Sequence, residues 1–556
     1  MPHAINQLQS LNTMKRIYTL LFVALFIIGN LFAQEKEIKN VILMIPDGTS
    51  LASISTARWY QRYNTPEKTN LNIDPYICGT VLTYSSNAPI GDSAPTTSCY
   101  MTGIPSQAGY VSTYPPVDKE NDIIPLDETM SYQPLMTLME AARIIQNKST
   151  GLVFTCEFPH ATPADCAAHS YNRSKYEWIV PQMVHNQLDV VIGGGVSLLD
   201  ENLQAYLKSE DYAIYLDDLS YQNSQNNRFW ALFGAMQMGY EIDRDPNLMP
   251  SLAEMTRKAI ETLSKNEEGF FLMVEGSLID WAAHSNDAAA IIHDVLSFDE
   301  ACGVAFDFAQ ANGETVVIVV PDHGNSGLSI GKKGSPSYTK LTKDQLFDPV
   351  SKMKVSIDGL LKHIQKAKTY ELKNIVFELT GITLSDEEFQ ELADCRDYDM
   401  SIITPEESMY GTETNKMVSE IINKRSCFGF TTDGHTGEEV FLAVLDPREN
   451  RLMGHKSNLE LHTYLYETLG LEESLLDLTH TYFAKHQEVF QDYTYSIKME
   501  EDIPVLTVKN KKNRLEIRPN TNIVKQNGKD VKLESVIVYV DRNETFYLQQ
   551  SLKQLM

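Results

Sequence analysis

The sequence predicts an α/β fold: a doubly wound, mostly parallel sheet flanked by helices, with a helical insertion and a β-rich C-terminal extension. Three observations carry that reading. Apolar runs at 41–45, 151–156, 190–192, 270–274 and 316–320 read as strands buried on both faces. Amphipathic helical patterns at 49–63, 252–264 and 287–310 alternate with them, as in a parallel sheet. Several of the runs stop at an acid, a histidine or a glycine turn, which places those residues at the carboxyl edge of the sheet, where α/β folds bind ligands.

Composition sets the outer limits. The 556 residues are 43% hydrophobic and 22% charged, enough for one large α/β domain with insertions or for several smaller ones. The net charge of −27 disfavours nucleic acid as a partner, and an anion-binding site on such a chain needs local cations, which bound metals supply. Lys15-Arg16, an apolar run at 17–28 and small residues up to Ala33 read as an export signal over 1–33. The run is short for a membrane span and no cysteine follows it, so the expected product is periplasmic or secreted, without a span or lipid anchor. Seven cysteines are an odd count for an exported chain, and Cys156 and Cys166 are close enough to close a small loop.

Along the chain, Ile45-Pro46-Asp47-Gly48 ends the first strand in an acid and a turn. Asp47 is either a ligand at the sheet edge or a cap for the helix at 49–63. In Gly91-Asp92-Ser93-Ala94-Pro95, Ser93 opens a helix, where the positive N-terminal field favours an alkoxide and a bound phosphate; an ordinary capping serine is the bland alternative. No Gly-x-Ser-x-Gly elbow surrounds it. After the run at 151–156 come His160, Thr162 and then Arg173, a candidate anion clamp or a surface helix arginine. The Gly193-Gly194-Gly195 turn lacks the Lys-Ser/Thr of a P-loop and reads as structural.

The run at 270–274 stops at Glu275, and Asp280 and His284 follow four residues apart, on one helix face and able to share a metal. The run at 315–321 leads into Asp322-His323, a ligand pair or turn chemistry. The segment 332–425 turns charged and helical, with helices expected at 360–380 and 385–393, and reads as an insertion. Thr432-Asp433-Gly434-His435-Thr436-Gly437 then puts His435 between glycines that permit close approach to a metal. A strand at 440–445 and a helix at 458–469 close a unit expected over 34–472. Beyond it, 473–556 reads as an extension of a short helix followed by alternating runs at 505–508 and 536–540.

Pro46-Asp47-Gly48, Gly91-Asp92-Ser93-Ala94, Val274-Glu275-Gly276, Asp280-x-x-x-His284, Pro321-Asp322-His323 and Gly434-His435-Thr436-Gly437, in that order, resemble the alkaline phosphatase family over about 39–471. The resemblance implies two zinc ions and one magnesium ion. Asp280, His284 and His435 match the first zinc site, and Asp47, Asp322 and His323 the second. Asp47 would bridge to magnesium held with Thr162 and Glu275, with His160 either a direct contact of the metal or one step removed from it. Ser93 matches the nucleophile that becomes a phosphoserine, and Arg173 matches the phosphate clamp. Small-molecule phosphate monoesters are the implied substrates, and family members are often homodimers. Two positions depart from some members: His160 stands where the enteric type has an acid, and Trp281 where others carry Lys or His, both bordering magnesium and phosphate. The sulfatase Cys-x-Pro-x-Arg signature is absent. The alternatives are a phosphodiesterase of the same superfamily and a metal-dependent phosphate-binding protein without turnover.

Overall fold

The computed structural model describes residues 37–335, 337, 339–404 and 409–556. The export signal expected at 1–33 lies outside them. Ten strands form the main sheet: β1 Asn40–Ile45, β2 Ile77–Leu82, β3 Ser149–Glu157, β4 Val190–Gly194, β5 Ala213–Leu216, β6 Phe229–Leu232, β7 Phe270–Glu275, β8 Thr315–Val319, β9 Val440–Leu445 and β10 Gly454–Ser457. Their order across the sheet is β10-β2-β9-β8-β1-β7-β3-β4-β6-β5. All run parallel except β9, which is antiparallel to both β2 and β8.

β1 lies at the centre between β7 and β8 and is buried along its whole length. Its side chains divide by alternation. Ile42 and Met44 join the core with helices Leu51–Asn64, Leu252–Leu263 and Ala288–Asn312, while Val41, Leu43 and Ile45 face helices Leu138–Gln146, Tyr176–His185 and Asn458–Leu469. Both faces are covered, which is why the parallel strands are apolar throughout. Gly193 is needed for packing, because a Cβ there would stand 2.1 Å from the Phe154 ring.

The insertion leaves and returns at one place. Ser329–Ile330 pairs antiparallel with Phe428–Gly429, and Gly324–Asn325 pairs with His435–Thr436. Its helices depart from expectation twice. The helix expected at 360–380 is two, Ile357–Lys366 and Leu372–Thr380, because Arg396 donates to Ala367 O and Thr369 Oγ1 and fastens the break. The helix expected at 385–393 runs on as Asp386–Ile402, since buried Arg396 and Asp399 continue the inward stripe with charged residues.

After helix Leu475–Tyr482, the C-terminal region forms a five-stranded antiparallel sheet, from Thr494–Glu500 to Lys529–Lys532, and a three-stranded one. The five-stranded sheet has its own apolar core around Leu506, Leu515 and Phe546, whereas Val538 and Val540 belong to the core of the main sheet.

No cysteine is paired among the described residues, which include all seven. Cys156 and Cys166, whose spacing would allow a small loop, make two separate contacts instead: Cys156 donates to Glu275 Oε2 at 3.5 Å, and Cys166 to Thr162 O at 3.7 Å. Thiol titration of the unreduced, denatured protein should find seven reactive groups; two fewer would reveal a disulfide and contradict this arrangement.

Candidate metal centre and phosphate site

The carboxyl ends of β1, β7 and β8 are adjacent, and each delivers acid. Asp47 follows β1, Glu275 ends β7, and Asp322-His323 follow β8; all four side chains are fully buried. Asp47 does not cap the next helix, where Ser50 occupies the cap position. Asp322 Oδ1 accepts from Gly48 N at 3.1 Å and from His323 N at 3.0 Å. Gly48 has φ +60°, and a Cβ there would lie 2.3 Å from Asp280 Oδ1. Only glycine serves at that turn.

Asp280 and His284 stand one turn apart on the helix Leu278–His284, as the spacing predicts. The short pairing of His435 with Asn325 brings the third member in from beyond the insertion. His284 Nε2 lies 3.2 Å from His435 Nε2 and 3.4 Å from Asp280 Oδ2. His323 Nε2 lies 3.5 Å from Asp47 Oδ1 and 3.4 Å from Asp322 Oδ2.

Backbone carbonyls set the tautomers of these rings. His284 Nδ1 bonds Asp433 O at 2.6 Å, His435 Nδ1 bonds Gly91 O at 3.0 Å, and His323 Nδ1 bonds Gly324 O at 3.0 Å. A carbonyl only accepts, so each Nδ1 carries a proton and Nε2 is the nitrogen that each ring turns toward the carboxylates. An Nε2 lone pair facing a carboxylate needs a cation, a proton or a metal, between them.

The electrostatics of the chain alone agree. Burial, then Asp322, Asp280 and Glu275, push the Asp47 carboxyl well above its usual range. Burial chiefly pushes Glu275 up to about 8. Burial opposes the charges of Asp280 and His284, yet their hydrogen bond prevails: His284 rises to about 9 and Asp280 is held well below the carboxylate range. Burial and the neighbouring His323 lower His435.

The donors fit bound divalent cations. Asp47 Oδ1, Asp322 Oδ2, Glu275 Oε1 and Thr162 Oγ1 are buried oxygens of this cluster without a hydrogen-bond partner. Three sets of ligand atoms lie within 4.8 Å of one another: Asp280, His284 and His435; Asp47, Asp322 and His323; Cys156, His160 and Glu275. Cys156 in the third set is not marked as a ligand by the sequence, where it ends an apolar run, stands close enough to Cys166 to close a small loop, and fits no zinc-knuckle spacing.

Ser93 is the first residue of helix Ser93–Thr102, with its Oγ 3.3 Å from His323 Nε2 and 3.5 Å from Asp47 Oδ2. Arg173 lies in a loop rather than on a surface helix. Its Nη1 donates to Asp92 Oδ1 and its Nη2 to His160 Nε2, both at 2.9 Å. Burial, then Arg173, lower His160 to about 3, so it is a neutral acceptor at working pH. Asp92, to which no sequence pattern gives a role, also accepts from Gly109 N at 3.2 Å. Trp281 meets the His160 ring edge-on at 5.7 Å. A cavity of about 610 Å³ opens over these groups, walled by Met238, Tyr240 and Trp281 and by Asp358 and Tyr410 from the insertion. No motif in the polar insertion marked those last two residues.

The family model described as alkaline phosphatase matches residues 38–471. The chain belongs to the alkaline phosphatase family. It is 31% identical over 458 residues to alkaline phosphatase 3 of Bacillus subtilis, covering 79% of this chain and 91% of that protein. Alkaline phosphatase 4 of the same organism is 30% identical over 450 residues, 78% of this chain and 90% of its own length. Among solved structures, the cold-active alkaline phosphatase of Shewanella sp. superposes with a TM-score of 0.66 at 27% identity, covering 77% of this chain and 99% of that one. The family is metal-dependent and hydrolyses phosphate monoesters, and this chain is such an enzyme.

Two outcomes follow. Gly48→Ala should displace Asp280, lower metal content and destabilise the protein by about 2 kcal/mol or more; unchanged metal content would contradict the close packing of this turn. Glu275 and His284 both have raised folded pKa values, so their protons stabilise the metal-free protein at low pH and that contribution is lost as pH rises through about 8 and about 9. Chelated protein should therefore melt at falling temperature between about pH 6.5 and pH 9, where His284 adds to the loss from Glu275, while metal-loaded protein should not. Parallel profiles would count against a cation among these groups.

Proposed function

We propose that the chain hydrolyses phosphate monoesters through a phosphoserine at Ser93, with two zinc ions and one magnesium ion as its cations. Asp280, His284 and His435 would hold the first zinc, and Asp47, Asp322 and His323 the second. Asp47, Thr162 and Glu275 would hold magnesium through oxygen, with His160 beside it. Bound there, such cations lower the pKa of hydroxyl and water and neutralise the entering and leaving oxygens. The observation that carries the reading is the set of three Nε2 lone pairs, each fixed by an Nδ1–H bond to a carbonyl, gathered around buried acids next to Ser93.

Ser93 Oγ attacks phosphorus in line, the alcohol departs, and water then frees phosphate from the seryl ester. The helix that begins at Ser93 favours the developing negative charge. Arg173 donates to two non-bridging oxygens, oriented by Asp92 on one side and by the neutral acceptor His160 on the other. A monoester carries one more negative charge than a diester, which the guanidinium and the third metal group would neutralise. Monoesters are therefore the preferred class. We assign 34–472 as the catalytic unit, 332–425 as its insertion and 473–556 as an extension, in an exported protein. Among the described residues no helix is long and apolar enough to cross a membrane.

Hydrolysis of p-nitrophenyl phosphate against bis-p-nitrophenyl phosphate at mildly alkaline pH tests the reading. Monoester turnover should vanish on chelation and return with zinc and magnesium. Preference for the diester would move the chain elsewhere in its superfamily.

A further inference from the structure

Residues 472–556 lie beyond the family match, yet several of their contacts converge on one loop of the catalytic body. That loop is 169–173, and it ends at Arg173. At its start, Gln182 Oε1 accepts from His169 N at 2.8 Å, and Gln182 Nε2 donates both to His169 O at 3.1 Å and to Asn520 Oδ1 at 3.0 Å. The Phe483 ring meets the His169 ring edge-on at 4.5 Å. Two residues further on, Tyr171 donates its hydroxyl proton to Asp541 Oδ1 at 2.5 Å, and the Arg542 guanidinium lies 5.4 Å over the Tyr171 ring. Asp541 and Arg542 follow directly on strand Val538–Val540, whose buried valines are part of the main-sheet core. The platform under Tyr171 is therefore anchored to the body as well as to the extension.

From Tyr171 the hold passes to the clamp by a short path. Arg173 N donates to Gly109 O at 2.7 Å, while Gly109 N donates to Asp92, the acid that also binds the guanidinium. We propose that the C-terminal region is a buttress for the phosphate clamp, with Asp541 and Arg542 as positioning residues acting through Tyr171 on the backbone of Arg173. The proposal rests on the reading of Arg173 as the group that binds phosphate. A loop of this kind would otherwise be among the more mobile parts of the fold, and a small misplacement of a positioning group is expensive in transition-state binding.

The ring of Tyr171 is also packed by Tyr132 at 5.9 Å and Trp178 at 5.7 Å, so removal of its hydroxyl alone leaves that packing in place. This permits a clean test in the full-length, metal-loaded enzyme. Tyr171→Phe, Asp541→Ala, their double variant, Asp541→Asn and Arg173→Ala are compared for KM, kcat, inhibition by inorganic phosphate, metal content and melting temperature. Either single change should raise KM and the phosphate inhibition constant about fivefold, with kcat and metal content within about twofold. The double variant should be no worse than the worse single one, because one hydrogen bond is lost in each. Asp541→Asn, whose amide oxygen still accepts, should restore most of the affinity. Unchanged phosphate inhibition in both single variants, alongside a large rise in Arg173→Ala, would overturn the buttress and leave the clamp standing. Unchanged inhibition in Arg173→Ala would overturn the clamp itself, and the buttress with it.

Discussion

Buried negative charge at the carboxyl edge of three adjacent strands is the constraint on which the rest of this structure depends. Asp47, Glu275, Asp280 and Asp322 are nearly or wholly removed from solvent within one cluster. Carboxylates in that setting must be neutralised by protons, paired or bound to metal. The chain alone does this poorly: two of the acids are pushed up the pH scale and one histidine takes up a proton. Cations bound among these acids would remove the conflict, and metal dependence is a property of the family to which the chain belongs.

Much of the architecture serves to aim lone pairs at that cluster. The parallel strands bring the acids to one edge, and the pairing of Gly324–Asn325 with His435–Thr436 returns the chain beside His323 after a long helical excursion. The His323 and His435 rings stack with centroids 3.7 Å apart. Each of the three imidazoles gives its Nδ1 proton to a main-chain carbonyl, so the geometry of the backbone, rather than a neighbouring side chain, decides which nitrogen is available. The insertion that this pairing staples in place also supplies Asp358 and Tyr410 to the wall of the cavity that Ser93 and Arg173 line. The loop of Arg173 is held from the other side by the C-terminal region.

The parts legible in the sequence were those where a local pattern coincides with a tertiary role. Apolar runs that stop at Asp47, Glu275 and Asp322 mark sheet-edge acids because a strand buried on both faces has no other place for charge. The Asp280 and His284 spacing sets one helix face without help from distant residues. What escaped was set by partners far away in sequence. Arg396 breaks one expected helix, and the stripe it forms with Asp399 continues another, since buried charged residues leave no apolar period to follow. Asp92 and Arg173 are 81 residues apart, and nothing in either segment announces their pairing. The cysteine count suggested a bridge, but Cys156 is taken up by Glu275 instead.

The most direct test of the account is the location of the phosphoryl group during turnover. Enzyme mixed with a monoester and quenched in acid, then digested and read by mass spectrometry, should carry phosphate on the peptide containing Ser93, and the Ser93→Ala protein should carry none. Phosphate retained by the Ser93→Ala protein, or found on another residue of the native one, would contradict the assignment of this serine as the group that the buried metal centre is built to activate.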